Sequence, residues 1–238
     1  MENYEKLQKI IDSSENIVFF GGAGVSTESG IKDFRSVDGL YNEKYDYPPE
    51  VMLSRTFFDE HPEEFYKFYK DKLNPEGVEP NVTHKYLVKL EEEGKLKAVI
   101  TQNIDGLHEK AGSKNVLLLH GTTYVNYCMK CGKEYSGEYV FKSKGVPKCS
   151  CGGIIKPDVV LYEEPLKDET VSKAIDAISN CDTLIIAGTS LVVYPAAMYV
   201  RYFKGKHLVI INKDFTQYDY MADLVIHDKM GNIFSKLK

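Results

Sequence analysis

The sequence predicts an α/β fold, a doubly wound parallel sheet with a small inserted zinc-ribbon domain. Three observations predict it. Short, continuous apolar runs alternate with helical segments, a glycine cluster follows the first run, and four of the five cysteines fall in one polar stretch. Strands that are apolar on both faces are typical of parallel sheets with helices on each side.

The helical segments and apolar runs alternate along the chain. An amphipathic helix ending near Ser14 precedes the run 17–20, and later pairs are 84–93 with 96–101, 168–179 with 183–187, and 195–203 with 207–211. We therefore expect one core over 1–238. Its large domain takes 1–35, 80–120 and 158–238, a loop and helical insertion takes 36–79, and a zinc-binding module takes 121–157.

Charge and hydropathy restrict the class of protein. Thirty basic and 35 acidic side chains give the 238 residues a net charge of −5, which disfavours a nucleic-acid partner. No apolar run reaches the roughly 18 residues of a membrane-spanning helix, and the N-terminal stretch is charged. We expect a cytoplasmic protein without a membrane partner, and by default a monomer.

A glycine-rich turn follows the first apolar run. Gly22, Ala23, Gly24 and Thr27 are placed where main-chain N–H groups can approach a phosphate at the start of a helix. The alternative is a tight strand-to-helix turn without a ligand.

The segment after this turn differs from that of a nicotinamide dehydrogenase. Such enzymes carry a second strand that ends in an acid about 20 residues on. Here Asp33, Phe34 and Arg35 follow instead and lead into an irregular stretch, 36–49. An acid, an aromatic face and a guanidinium suit chemistry at a nicotinamide ribose, whereas the alternative for Asp33 and Arg35 is a surface ion pair.

Polar residues follow two further runs, at the sheet edge where open α/β folds bind ligands. Gln102, Asn103 and Asp105 can hold a carboxamide and ribose hydroxyls, although Asn103 and Asp105 can also simply cap the next helix. His120 follows the aliphatic run 116–119, and we favour it as a general base. A lone histidine at a strand end is more often structural.

Two groups near the C-terminus suit the adenosine half of a dinucleotide. Gly188, Thr189 and Ser190 follow the run 183–187, and Asn212 follows 207–211. Asp228 precedes a short final helix, where it either caps that helix or contacts adenine.

Four cysteines have the spacing of a zinc ribbon. Cys128 and Cys131 form a C-x-x-C pair, Cys149 and Cys151 form a C-x-C pair, and seventeen residues separate the two pairs. Four thiolates without an open position predict a structural zinc ion. The alternative is four unconnected core cysteines.

Taken together, these motifs resemble the sirtuin family of NAD-dependent protein deacylases, over nearly the whole chain. The resemblance implies a Rossmann-like large domain, a zinc-bearing small domain, and NAD consumed as a co-substrate. It implies a deacetylase that transfers the acetyl group of lysine to ADP-ribose and releases nicotinamide. The residues that it assigns to NAD are Gly22, Ala23, Gly24, Thr27, Asp33, Phe34, Arg35, Gln102, Asn103, Ile104, Asp105, His120, Gly188, Thr189, Ser190, Asn212, Lys213 and Asp228.

The resemblance also implies roles in the reaction. His120, with Asn103, is assigned to catalysis, and His120 takes a proton from the ribose hydroxyls. The segment 157–164 resembles the family's substrate loop, with Val160 and Tyr162 beside an acetyl-lysine peptide. The alternative for this segment is an ordinary buried strand.

The chain departs from the family pattern at two positions, and at a third it differs from one group of its members. Lys32 stands where the family usually has proline, and Glu163 stands where glycine is common. Family members that remove acidic acyl groups have an arginine where this chain has Tyr69, so we expect a neutral acyl group. Two further functions stay open: a protein mono-ADP-ribosyltransferase with the same NAD site, and a zinc-ribbon module that senses NAD without turnover.

Overall fold

A computed structural model describes residues 2–34, 39–42, 45 and 47–238. Its helices are α1 (Asn3–Asp12), α2 (Pro49–Met52), α3 (Arg55–Glu60), α4 (Pro62–Lys72), α5 (Val82–Glu92), α6 (Leu107–Ala111), α7 (Gly137–Lys142), α8 (Asp168–Asn180) and α9 (Met230–Phe234). Its strands are β1 (Ile17–Gly21), β2 (Leu96–Thr101), β3 (Val116–Leu118), β4 (Gly121–Cys128), β5 (Glu134–Ser136), β6 (Ile155–Val159), β7 (Thr183–Ala187), β8 (His207–Ile211) and β9 (Leu224–Ile226). Short 3-10 helices cover Ala23–Val25, Thr27–Ser29, Leu40–Asn42, Ala196–Tyr202 and Asp219–Met221.

The central sheet has six parallel strands in the order β3-β2-β1-β7-β8-β9. All residues of β1 and β7 are buried. Because side chains alternate along a strand, Phe19 packs into a core with α1, α5 and α9, and Phe20 packs into a second core with α8. Both faces of the sheet are therefore covered, and the predicted doubly wound parallel sheet is confirmed.

One predicted helix has a different geometry. The segment predicted as a helix over 195–203 is a 3-10 helix from Ala196 to Tyr202. Its buried residues are Ala196, Ala197, Tyr199 and Val200. Over two turns this spacing fits a period of three residues as well as one of 3.6, so the apolar pattern did not distinguish the two helix types.

A second, antiparallel sheet of three strands has the order β5-β4-β6 and carries the cysteine quartet. A third hydrophobic core joins this sheet to the helices that follow residue 48. In that core Phe65 and Tyr66 of α4 pack with Val140 and Ile155. The ammonium of Lys70 on α4 also donates to the Ser143 carbonyl at 2.7 Å, at the end of α7. The helices of the insertion thus pack directly on the cysteine-bearing module.

Among the described helices, none is long and apolar enough to cross a bilayer.

Two imidazoles are buried together on one side of the central sheet. His84 on α5 and His108 on α6 have ring centroids 4.7 Å apart, and both side chains are almost wholly inaccessible. Neither nitrogen of His108 has a hydrogen-bond partner among the described residues. Burial lowers the pKa of His84 to about 4. Burial, together with the proximity of His84, lowers the pKa of His108 to about 3.

This pair predicts that stability falls in mild acid. Both pKa values lie below the unfolded value of 6.5, so the unfolded chain binds more protons than the folded one below that pH. The contribution is fully present above pH 6.5 and is lost as pH falls toward 4 and then 3. Each imidazole contributes a slope of up to about 1.4 kcal/mol per pH unit. We expect His108→Leu to flatten the pH dependence of the urea midpoint between pH 4 and 7.

The exposed His61 provides the control, because His61→Gln should leave the pH profile as in the wild type. A His108→Leu profile that is as steep as that of the wild type would contradict the assignment.

Candidate active site

The glycine turn after β1 lies against the turn after β7. A Cβ atom added to Gly22 would lie 2.8 Å from the Gly188 carbonyl oxygen, and one added to Gly24 would lie 2.7 Å from the Gly188 Cα. The Gly22 and Gly24 N–H groups donate to the main-chain carbonyls of Ala187 (3.1 Å) and Gly188 (2.8 Å). Close packing of two main chains therefore accounts for these glycines without a ligand, and the N–H groups of Gly22 and Gly24, which we expected to approach a phosphate, are already bonded within the protein.

A buried polar network connects this turn to the end of β2. The Ser26 hydroxyl donates to the Asp105 carboxylate at 2.7 Å and accepts from the Asn103 amide at 3.1 Å. The second carboxylate oxygen of Asp105 accepts the Leu107 N–H at 2.9 Å. Burial raises the pKa of Asp105, whereas the bonds from Ser26 and Leu107 lower it. The network holds Asn103 and Asp105 in fixed orientations at the carboxyl edge of the sheet.

Sequence reasoning did not assign a role to Ser26. It lies 77 positions from Asn103 and 79 from Asp105 in the chain. The only signal in the sequence was its place directly behind the glycine turn. The N-cap of α6 is Gly106, which makes no side-chain capping bond, so neither Asn103 nor Asp105 is the cap; Asp105 instead accepts the N–H of Leu107, the first residue of α6, two positions along the chain.

His120 lies just after β3, and a main-chain bond orients its ring. Its Nδ1 lies 2.9 Å from the Gln102 carbonyl oxygen. A carbonyl oxygen only accepts, so Nδ1 carries the proton and Nε2 keeps its lone pair. Burial lowers the pKa of His120, although the bond to Gln102 partly opposes this effect. The ring is therefore a neutral base at neutral pH.

Gln102 connects three strand ends. Its main-chain carbonyl accepts from His120 after β3, and its side-chain amide donates to the Thr189 hydroxyl after β7 at 3.1 Å. Thr189 is buried, whereas Ser190 is exposed. Four of the predicted site residues, Gln102, Asn103, His120 and Thr189, are thus together at one edge of the sheet.

The predicted substrate segment runs alongside His120. The Val160 N–H donates to the His120 carbonyl at 2.9 Å, and Gly121 pairs with Val159. Gly121 has a φ of +76°, and a Cβ there would lie only 1.9 Å from the Asp158 carbonyl oxygen. Glycine is required here, because any side chain would push the segment away from the histidine.

Both main-chain polar groups of Tyr162 are hydrogen-bonded. Its N–H donates to the Leu53 carbonyl and its own carbonyl accepts the Arg55 N–H, each at 3.0 Å. Its hydroxyl is hydrogen-bonded to that of Tyr41, whose ring lies 5.6 Å from the ring of Phe34. The side chain itself is partly exposed, so it faces the solvent side of the substrate segment.

The departure at Glu163 has a structural counterpart. Glu163 has a φ of +76°, a conformation that favours glycine, which explains why glycine suits this position. Here the Glu163 carboxylate accepts the Thr56 N–H at 2.9 Å, near the start of α3. That hydrogen bond offsets part of the conformational cost.

Two apolar side chains of the predicted site, Phe34 and Ile104, pack against the third core. Both are half-buried, and the Ile104 carbonyl accepts both the N–H and the hydroxyl of Thr123. The Asp33 carbonyl accepts the Leu40 N–H at 2.9 Å. Arg35, which we predicted beside the phosphate turn, lies outside the described residues.

The predicted adenosine residues lie farther along the same edge. The Asn212 N–H donates to the Ile226 carbonyl, and its side-chain amide closes a turn on Asp214 at 2.9 Å. Lys213 follows it directly. Asp228 was expected as the N-cap of α9, but the N-cap is Lys229, whose N–H Asp228 accepts at 2.7 Å.

The four sulfur atoms of Cys128, Cys131, Cys149 and Cys151 form one cluster. Sγ of Cys128 lies 3.4 Å from that of Cys151, Sγ of Cys131 lies 3.6 Å from that of Cys149, and all four lie within 4.8 Å of one another. Zinc–sulfur bonds of about 2.3 Å in a tetrahedron place sulfurs about 3.8 Å apart. The cluster therefore fits a structural zinc ion, as its spacing predicted.

Comparison with known proteins gives one consistent result. The family model described as "Sir2 family" matches residues 22–195. A Clostridium perfringens protein named NAD-dependent protein deacetylase is 60% identical over 240 residues, with 99% of this chain and 98% of that protein covered. A protein of the same name from Clostridium acetobutylicum is 58% identical, with 98% and 97% covered.

Solved structures agree with the sequence relatives. A Sir2 complex with a deacetylated p53 peptide and 3'-O-acetyl ADP ribose matches with a TM-score of 0.90 at 38% identity, and covers 98% of this chain and 96% of that one. A complex of Sir2 with a p53 peptide and NAD+ matches with a TM-score of 0.86 at 39% identity, and covers 99% and 97%. The similarity thus extends over both sheets.

Proposed function

This chain belongs to the Sir2 family and is an NAD-dependent protein deacetylase, and we propose that His120 is the general base of its reaction. The observation that carries this assignment is the hydrogen bond from His120 Nδ1 to the Gln102 carbonyl. It leaves Nε2 as a proton acceptor at the sheet edge. The main-chain carbonyl of the same histidine accepts the N–H of Val160 in the substrate segment, so the base and the substrate segment are directly hydrogen-bonded to each other.

The residues around the base fit NAD. When bound, NAD supplies a ribose carbon from which nicotinamide departs and to which the acetyl oxygen is transferred. Asp105 and Asn103, fixed through Ser26, can hold a carboxamide and ribose hydroxyls. Phe34 provides an aromatic face that excludes water, and His120 accepts a proton from a ribose hydroxyl.

The other contacts with NAD divide along the sheet edge. The phosphate and nicotinamide side of NAD is contacted by the glycine turn and by three residues near it. These residues are Gly22, Ala23, Gly24, Thr27, Asp33, Arg35 and Ile104. The adenosine side is served by Gly188, Thr189, Ser190, Asn212, Lys213 and Asp228. Gln102 lies between the two groups, and its bond to Thr189 supports this placement.

We also propose the division of the chain set out above, with a zinc module at 121–157 and an insertion at 36–79. The separate antiparallel sheet and the cysteine cluster support the module. An acidic chain with clustered, unpaired cysteines suits a reducing cytoplasm and no nucleic-acid partner. We propose a monomer, with acetyl-lysine proteins or peptides as the partners.

The test follows both products of one incubation. Purified protein, NAD and an acetyl-lysine peptide are mixed, and peptide mass and free nicotinamide are measured together. Equal amounts of acetyl loss and nicotinamide release support the deacetylase. Nicotinamide release from a peptide that stays acetylated would instead favour protein mono-ADP-ribosyl transfer, and no release from zinc-loaded protein would leave an NAD-sensing module.

We expect acetyl-lysine to be preferred over succinyl-lysine. Tyr66 and Tyr69 are buried within the third core, where burial raises the pKa of both phenols, so neither provides a negative or positive charge. A succinyl carboxylate buried without a cation costs about 1–3 kcal/mol or more, which corresponds to at least about 5- to 160-fold in kcat/KM. Competition between the two peptides measures the ratio, and equal or greater use of the succinyl peptide would contradict the prediction.

A further inference from the structure

A cavity of about 380 Å³ is lined in part by Tyr162 and Glu163 of the substrate segment. It lies between Tyr162 and helices α2 and α3, and the catalytic edge with His120 does not line it. Four aromatic rings form much of its wall, from Tyr47, Phe57, His61 and Tyr162. Of the site residues assigned above, Tyr162 lines this cavity.

The aromatic wall is already assembled. The ring centroid of Phe57 lies 5.2 Å from that of Tyr47 and 5.0 Å from that of His61. The rings of Tyr47 and His61 are stacked, with centroids 6.4 Å apart. Ser54 fixes the start of α3, because its hydroxyl accepts the Phe57 N–H. A ligand therefore meets rings that are held in place by the fold.

The charged side chains that line the cavity, among the described residues, are acidic. Glu50, Glu60 and Glu163 line it, whereas no lysine or arginine is among its described lining residues. The nearby Arg55 guanidinium is bonded to Asp59 at 2.8 Å and to Glu164 at 3.1 Å. The whole insertion 36–79 has eleven acidic and five basic side chains. The surroundings thus attract a cation and repel an anion.

The cavity is also continuous with the substrate segment. Tyr162 and Glu163 line it, and Tyr162 is two residues beyond Val160, which is bonded to His120. Residues two apart on an extended chain are separated by about 6.6–6.8 Å. A peptide that lies along this segment, with its acetyl-lysine at His120, brings a side chain two or three positions away to the mouth of the cavity.

We infer that this cavity binds an arginine side chain of the acetylated substrate, two or three residues from the acetyl-lysine. A planar guanidinium stacks on aromatic rings and forms paired hydrogen bonds with carboxylates, and the wall offers both groups. The inference rests on the proposed function, and it adds a preferred substrate class: acetylated segments with a nearby cationic side chain.

The test compares peptides that differ at one position. Acetyl-lysine peptides carry arginine, its neutral analogue citrulline, lysine or alanine, two or three residues to either side of the acetyl-lysine. We expect kcat/KM to be about 10-fold higher for arginine than for citrulline at one of these positions. In the double variant Glu50→Gln, Glu60→Gln this ratio should fall by at least about 2-fold without vanishing, because Glu163 and the aromatic wall remain.

The matched control is Glu63→Gln, which removes an exposed carboxylate on α4 that does not line the cavity, and it should keep the full preference. Equal use of arginine and citrulline by the wild type would overturn the inference, as would a preference of undiminished size in the double variant. An equal preference for lysine would replace the guanidinium-specific part by a simple cation site.

The alanine peptide separates the two proposals. If every form of the enzyme removes its acetyl group with equal nicotinamide release, the deacetylase stands and only the cavity is in question. If no peptide is deacetylated, the proposed function itself fails.

Discussion

Replacing His120 by alanine should lower kcat for deacetylation by about 10²–10⁴, the usual contribution of a positioned general base. The loss should fall on kcat rather than on folding, because the ring makes its bond to the Gln102 carbonyl at the edge of the sheet and not within a core. Acetyl removal and nicotinamide release under saturating substrates measure the effect. Thermal unfolding of the same sample checks the fold.

The pH profile of the wild type gives a second readout. Burial lowers the pKa of His120, so its neutral, active form should persist below pH 6.5. The acid limb of kcat/KM should therefore lie below that value.

His207→Gln is the control for this variant, since it removes an imidazole from the first residue of β8, at the opposite end of the strands. It should keep activity near that of the wild type. A His120→Ala enzyme within 10-fold of the wild type would falsify the assignment of the base.

Loss of the zinc site should be the most damaging structural change. In Cys149→Ser the cluster loses one of four thiolates, and the buried Cys128 and Cys149 belong to the third core together with side chains of α3 and α4. Structural zinc in small domains contributes about 10–16 kcal/mol of apparent binding energy, as much as or more than the net stability of most domains. We expect the module to unfold and deacetylation to fall to about 1% or less of the wild-type rate.

Zinc content per chain, near-ultraviolet circular dichroism and activity measure these effects on one preparation. Cys181→Ser is the matched control. Cys181 lies outside the quartet and its thiol donates to the Ile178 carbonyl, a bond that a hydroxyl can also make. This control should retain one zinc ion and full activity. Metal-free protein with undiminished activity would contradict a structural role for the site.

The sequence was a good guide wherever a residue's surroundings are set by its neighbours in the chain. The bounds of β2, β7 and β8 agree with prediction, because each is a continuous apolar run. The cysteine quartet was also predictable, since ligand spacing reflects local knuckle geometry. The N-cap of α9 was misplaced by one residue, because Asp228 and Lys229 adjoin and the side chain of one serves the backbone of the other.

The interior of the site was less predictable for a physical reason. Strand ends indicated that Gln102, Asn103 and His120 share one edge, but not which atoms bond. The bridge through Ser26 joins parts of the chain almost 80 positions apart. The glycine turn shows the same limit, because its contact with Gly188 depends on the sheet order. Such contacts follow from tertiary packing and leave no periodic signal.

The bond that orients the His120 ring has a consequence for mutational drift. Its acceptor is the main-chain carbonyl of residue 102, which every amino acid carries. A change of the Gln102 side chain would remove the contact with Thr189, yet it would leave the acceptor in place. Substitution of residue 102 therefore does not change the tautomer of His120. Over evolution, the side-chain contact with Thr189 can change while His120 keeps its orientation and its free Nε2.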